Sequence, residues 1–196
     1  MHIALLATTV LFIASIIHFG IGSAIYIKDD KDRVNRAFFA LSLSLVLWTL
    51  FYGITYLTKT DEATLFWTRI LTIPTFFYPS LFLYLAMVFP RNDYKPSMIF
   101  YFYHALFILL FLFFMFSRVY IYSARLVMQG IEFQFGFIYN VLGIYIVSTM
   151  LYGCYLLIRK LFVLDKQSRQ QVAYVFVGAL LSVMMGAIFG VTLPMF

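Results

Sequence analysis

The sequence predicts an all-α, polytopic membrane helix bundle of six spans with its N-terminus outside. Three observations predict it: the composition, the length of the apolar runs and the placement of the basic residues. Of 196 residues, 64% are hydrophobic and 11% charged, far from the balance of a water-soluble domain. Apolar runs fall at about 2–27, 37–57, 63–89, 97–117, 136–158 and 172–196, each long enough to cross ~30 Å of hydrocarbon as a helix. Ten basic residues lie in the first, third and fifth connections (Lys28, Lys31, Arg33, Arg36, Arg91, Lys95, Arg159, Lys160, Lys166, Arg169), against three in the second and fourth (Lys59, Arg118, Arg125). Because Lys and Arg concentrate on the cytoplasmic side, the odd connections are cytoplasmic, and a sixth crossing leaves Phe196 on the outer side. The net charge of +6 therefore has a topological origin and implies a bilayer as partner, with no nucleic acid.

The first run opens at His2 and stays apolar to Ile27 without the basic start of a cleaved leader, so it is expected to remain as a span. In the second, Thr49, Tyr52 and Tyr56 form a stripe at spacings of three and four in the outer half, with Ser42 deeper on the same face. The third, "ATLFWTRILTIPTFFYPSLFLYLAMVF", is entered through Asp61 and Glu62, whose carboxylates complement the positive end of a helix dipole. Its Thr64, Thr68, Thr72 and Thr75 share one face. These hydroxyls either bond back to their own helices or line, with the second-span stripe, a polar pocket open to the outside. Pro74 and Pro79 deprive the carbonyls of Ile70 and Thr75 of their usual donors, and the resulting kinks serve either packing or a site. Arg69 lies about two turns from the external end and about 60° around the helix from Thr72. It either snorkels to the outer surface or meets an anion or a carbonyl group.

Beyond the fourth run, "RVYIYSARLVMQGIEFQF" has β-branched and aromatic residues on both sides of Gly130, and its imperfect alternation admits a short external hairpin. The fifth run presents a polar-aromatic face of Tyr145, Ser148, Tyr152 and Tyr155, together with the lone Cys154, a small core residue. Ser168 followed by Gln171 reads as a capping box that starts the sixth helix. That helix carries Gly178, Ser182, Gly186 and Gly190, a small residue at every fourth position, which allows close approach of another helix of the chain or of a second copy in a homodimer.

Chemistry is sparse. All eight carboxylates lie in loops or at helix ends, so the buried acids from which ion-coupled transporters build their relays are missing. No nucleophile elbow, paired metal ligands or phosphate loop occurs. His18 and His104 fall at comparable depths, which admits a bis-histidine haem, but a mutual hydrogen bond or separate core roles account for them more simply. The expectation is no cofactor and no catalysis.

The stretches "NRAFFALSLSLVLWTLFYGITYL", "ATLFWTRILTIPTFFYPSLFLYLAMVF", "FGFIYNVLGIYIVSTMLYGCYLLIRKL" and "SRQQVAYVFVGALLSVMMGAIFGVTLPMF" together resemble the N-terminal seven-helix sensor region of bacterial histidine kinases, a region also found ahead of diguanylate cyclase and PAS domains. The landmarks are Trp48, Phe66–Trp67, the third-span prolines, Arg169–Gln171 and the closing "LP". The resemblance implies an N-out receptor of the bacterial cytoplasmic membrane that relays a signal through a seventh helix to a cytoplasmic output domain. The sequence departs from that pattern by ending after its sixth run, so a truncated receptor or a stand-alone protein is expected. On this reading residues 1–196 form one sensor domain that binds a small-molecule or lipid-like signal. Its contacts would be Thr49, Tyr52, Tyr56, Thr68, Arg69, Thr72 and Thr75, with Pro74 and Pro79 as the hinge. A small permease or lipid-handling protein is the rival suggested by the same stripes and by 24 phenylalanines, and a haem-bearing electron carrier is the third reading.

Overall fold

The structure, a computed structural model, describes residues 2–90, 96–127 and 130–187. Among the described residues there are six helices: α1 (His2–Lys28), α2 (Arg33–Tyr56), α3 (Asp61–Val88), α4 (Met98–Phe114), α5 (Phe137–Val163) and α6 (Lys166–Ala187). Between α4 and α5 stands an antiparallel hairpin of β1 (Ile121–Val127) and β2 (Gly130–Phe135). The architecture is a membrane helix bundle with this hairpin added at one end. Among the described residues, α1, α2, α3 and α5 are long and apolar enough to cross a bilayer. The fourth helix is shorter than its apolar run, because Ser97 caps its start and the chain turns at Ser117, whose hydroxyl donates to the Phe114 carbonyl (2.7 Å). Its 17 residues reach about 26 Å.

Helix ends follow local chemistry. Asp32 caps α2 by accepting from the Val34 amide (2.6 Å), and Thr60 caps α3 by accepting from Ala63 (3.2 Å), one residue ahead of the expected acidic first turn. The start of α6 corrects the capping-box reading. Asp165 accepts from the Ser168 amide (3.1 Å) and the helix begins at Lys166, so Ser168 already lies inside the first turn. A carboxylate is an equally good cap, and it stands three residues earlier.

The hub is α3, which packs against α2, α4, α5 and the hairpin, while α1 packs on α2 and α6 on α5. Two cores result. Toward the hairpin end, Phe76, Phe111, Met115, Tyr120, Ile121, Leu142 and Tyr145 are buried together; toward the opposite, basic end, Ala37, Leu41, Phe82, Leu85, Ala86, Val88, Leu157 and Val172 are. Close helix approach depends on glycines outside the predicted small-residue stripe. A Cβ on Gly153 of α5 would lie 2.6 Å from the Phe82 ring of α3, and one on Gly22 of α1 would lie 2.7 Å from the Ser42 Cβ of α2. Of the stripe, Gly190 and the side-chain surroundings of Ser182 and Gly186 lie outside the described residues.

In the hairpin, Arg125 stands opposite Glu132 and Ala124 opposite Phe133, with an irregularity between Ile121 and Ser123 that accounts for the imperfect alternation. Gly130 opens the second strand. The inner side of the hairpin buries Tyr120, Ile121, Ala124 and Ile131, so it is packed into the bundle.

Candidate functional site

Arg69 joins the hairpin to the hub helix. Its Nη2 donates to the Ile121 carbonyl at 2.9 Å and, more loosely, to that of Ser117 at 3.4 Å. These partners are main-chain carbonyls of the chain itself. An exposed Arg125–Asp61 pair at 3.9 Å closes the same contact at its rim, where screening leaves little net attraction.

Around Arg69, most stripe hydroxyls are turned back to their own helix, the pattern by which Ser and Thr satisfy themselves in a helix. Thr72 donates to the Arg69 carbonyl (2.6 Å), Thr75 to Leu71 (3.1 Å) and Thr64 to Thr60 (2.9 Å); on α2, Thr49 donates to Leu45 (2.9 Å). Tyr52 stacks obliquely between Trp48 and Tyr56 (ring centroids 5.5 and 5.2 Å apart), forming an aromatic ladder on the C-terminal half of α2. Among the described residues, three buried polar atoms in this half of the molecule have no hydrogen-bond partner: Thr68 Oγ1, Arg69 Nε and the Tyr120 hydroxyl. Thr68 is 2% exposed and Tyr120 0%. The Tyr120 hydroxyl lies beside that of Thr72, which is already committed to a carbonyl, and burial raises the phenol above its ordinary range. Buried orphans of this kind ask for water or a ligand group. Tyr120 was missed in the sequence because nothing local marks a loop tyrosine as buried.

Pro74 and Pro79 are both buried and α3 runs through them without a break. Ser44 of α2 reaches across and donates to the Pro74 carbonyl (2.9 Å), so the proline turn is held by its neighbour. One turn farther on, three helices meet in a polar knot. The Tyr145 hydroxyl lies 2.8 Å from His104 Nδ1 and 2.5 Å from Ser80 Oγ, with Ser80 Oγ 3.0 Å from the same nitrogen. This gives His104 a core role. His18, on α1, makes no ring contact or hydrogen bond with it among the described residues. Tyr145 faces inward as expected of the fifth-span stripe, whereas Ser148, Tyr152 and Tyr155 are exposed.

At the basic end, Lys160 of α5 donates from Nζ to the carbonyls of Ala86 (2.7 Å), Met87 (2.9 Å) and Phe89. These belong to the last turn of α3, whose carbonyls lack intrahelical donors and carry the negative end of the dipole. The hub is thus tied by a cation at each end, through Arg69 and through Lys160.

A family model described as the N-terminal 7TM region of histidine kinase matches residues 10–196. No curated protein and no solved structure matches the chain.

Proposed function

As the chain belongs to the family of N-terminal 7TM regions of histidine kinases, we propose that it is the signal-receiving membrane module of a histidine-kinase-type receptor in the bacterial cytoplasmic membrane, with the hairpin end outward. The signal, a small or lipid-like molecule, enters at the outer halves of α2 and α3, where Thr49, Tyr52, Tyr56, Thr68, Arg69, Thr72 and Thr75 lie. The observation that carries this reading is the set of buried polar atoms without partners, Thr68 Oγ1, Arg69 Nε and the Tyr120 hydroxyl, which offers both donors and acceptors to a polar group. Pro74 and Pro79 sit one to three turns deeper on the same helix. Ligand contact on their outer side biases the path of α3, and Lys160 couples that path to α5 at the cytoplasmic end. A ligand can only shift such an equilibrium by binding one arrangement better than the other.

The test is a chimaera in which this region drives a histidine kinase, titrated with fractions of culture medium and lipid extract. Thr68→Val keeps the side-chain shape and deletes an unpartnered hydroxyl. With no ligand bound, the variant should be as stable as the parent or more so, because a buried orphan is costly. Any fraction that triggers the parent should be needed at about 2- to 10-fold higher concentration, the equivalent of one hydrogen bond. An unchanged dose response moves the ligand away from α3, and a chimaera deaf to every fraction removes the receptor reading itself.

A further inference from the structure

We propose a second, lateral site in the basic-end half of the bundle, where His104 receives an uncharged, lipid-soluble molecule whose planar ring bears a carbonyl or hydroxyl. It is independent of the site between α2 and α3. A cleft of about 400 Å³ opens there between α3, α4 and α5, within the range of small-molecule sites, roughly 300–1,000 Å³. His104 lies in its wall and is only 5% exposed. Nδ1 is occupied by Ser80 and Tyr145, and among the described residues Nε2 has no hydrogen-bond partner. A neutral imidazole offers one bond from that nitrogen, as donor or acceptor according to tautomer, so the knot that fixes the ring also leaves Nε2 free for a guest.

The rest of the wall sets the guest's character. Phe100, Tyr103 and Tyr152 supply ring faces and edges, and Leu83 and Met87 close the apolar side; aromatic walls of this kind favour a flat ring in offset or edge contact. Among the described residues no charged side chain lines the cleft, and an ionic headgroup buried there without a partner would be costly. Tyr103 and Tyr152 are both exposed on the outer surface of the bundle, so entry is from the side, through the bilayer. The buried residues of α4 are His104 and Phe111, which makes α4 the helix that a guest beside His104 would shift most directly.

The probe is a benzophenone, a neutral diaryl ketone that inserts on irradiation into C–H bonds near its carbonyl, applied to the whole protein in lipid nanodiscs. Mass spectrometry should place the label on Leu83–Met87, Ile99–Tyr103 or Ser148–Tyr152, and decylubiquinone should displace it where decylbenzene, which lacks the carbonyl, does not. Comparing decylubiquinone with its chain-free ring tells a lipid from a small diffusible molecule. His104→Asn keeps a polar atom near the Nδ1 position and deletes Nε2; labelling should fall about 3- to 10-fold, the weight of one hydrogen bond, with an unchanged unfolding temperature. Ser148→Phe fills the cleft from its exposed wall; it gives up the Ser148 bond to the Tyr145 main-chain carbonyl (3.1 Å) but removes none of the side-chain bonds among Ser80, His104 and Tyr145, and it should give the same loss, which keeps the test decisive if His104→Asn folds poorly. Label spread evenly over all lipid-facing helices, equal competition by decylbenzene, or full labelling of the Ser148→Phe protein overturns the proposal.

Discussion

Two partly buried side chains of α3 show how far single residues speak for themselves. Arg69 announced a partner, since a guanidinium within a span must either reach water or find acceptors. Its acceptors, the carbonyls of Ser117 and Ile121, lie 48 and 52 positions away, and no periodicity reaches that far. Arg69→Lys retains the charge but lacks the planar fork, so it should lose stability by about 1.5–2 kcal/mol, the lower part of the range for hydrogen bonds of charged groups. Amide hydrogen exchange across residues 118–125 should rise with it. Unchanged protection there would mean that the hairpin is held by packing alone. Ser80 shows the opposite case. A lone serine in an aromatic run carried no signal, yet it anchors the knot with His104 and Tyr145. Gly153 was equally mute, although the Phe82 ring lies where its Cβ would be. Gly153→Leu should cost roughly 1–3 kcal/mol, as overpacking does. Gly143→Leu, where a Cβ meets nothing within 4 Å, should unfold with the parent, and similar melting of the two variants would deny Gly153 its packing role.

At the scale of elements, the existence of each helix was legible in hydropathy and the ends were less so. Helix α3 begins where Asp61 and Glu62 indicated, because the Thr60 cap seen in the structure and the acidic first turn agree. Helix α6 begins earlier than its apolar run, because a polar first turn between Asp165 and Val172 still satisfies its backbone through the Asp165 cap. The hairpin was visible only as β-branched and aromatic residues around Gly130, and its burial comes from contact with α3 rather than from its own alternation. Its junction to α5 is exacting: the Gly136 amide donates to the Tyr120 carbonyl at 2.8 Å, and a Cβ on Gly136 would sit 2.2 Å from the Val119 carbonyl oxygen. Gly136→Ala must therefore displace main chain, and limited proteolysis should cut between residues 116 and 137 much faster than in the parent. At the other end, Lys160→Met removes donors from three carbonyls of α3 and should lower stability by about 1–2 kcal/mol. A variant as stable as the parent would show that water replaces the ammonium there.

For the whole molecule, the charge asymmetry predicts which end faces the cytoplasm. Alkaline phosphatase inserted after Asp30 should be inactive, and inserted in the connection between β1 and β2 it should be active; the reverse pattern inverts the bundle and moves the proposed outer site inward. The architecture was readable because span length and basic-residue placement are properties of the chain as a string. Which helix sits at the centre was not, since α3 is no more apolar than its neighbours and becomes the hub only by what it touches. That hub is held at its two ends by cations that donate to main-chain oxygens. Peptide carbonyls do not titrate, so mild acidification leaves the acceptors of these bonds unchanged. Acceptors of that kind persist in acid and in salt, so a shift in the path of α3 calls for something that physically displaces the helix or the two cations that hold it.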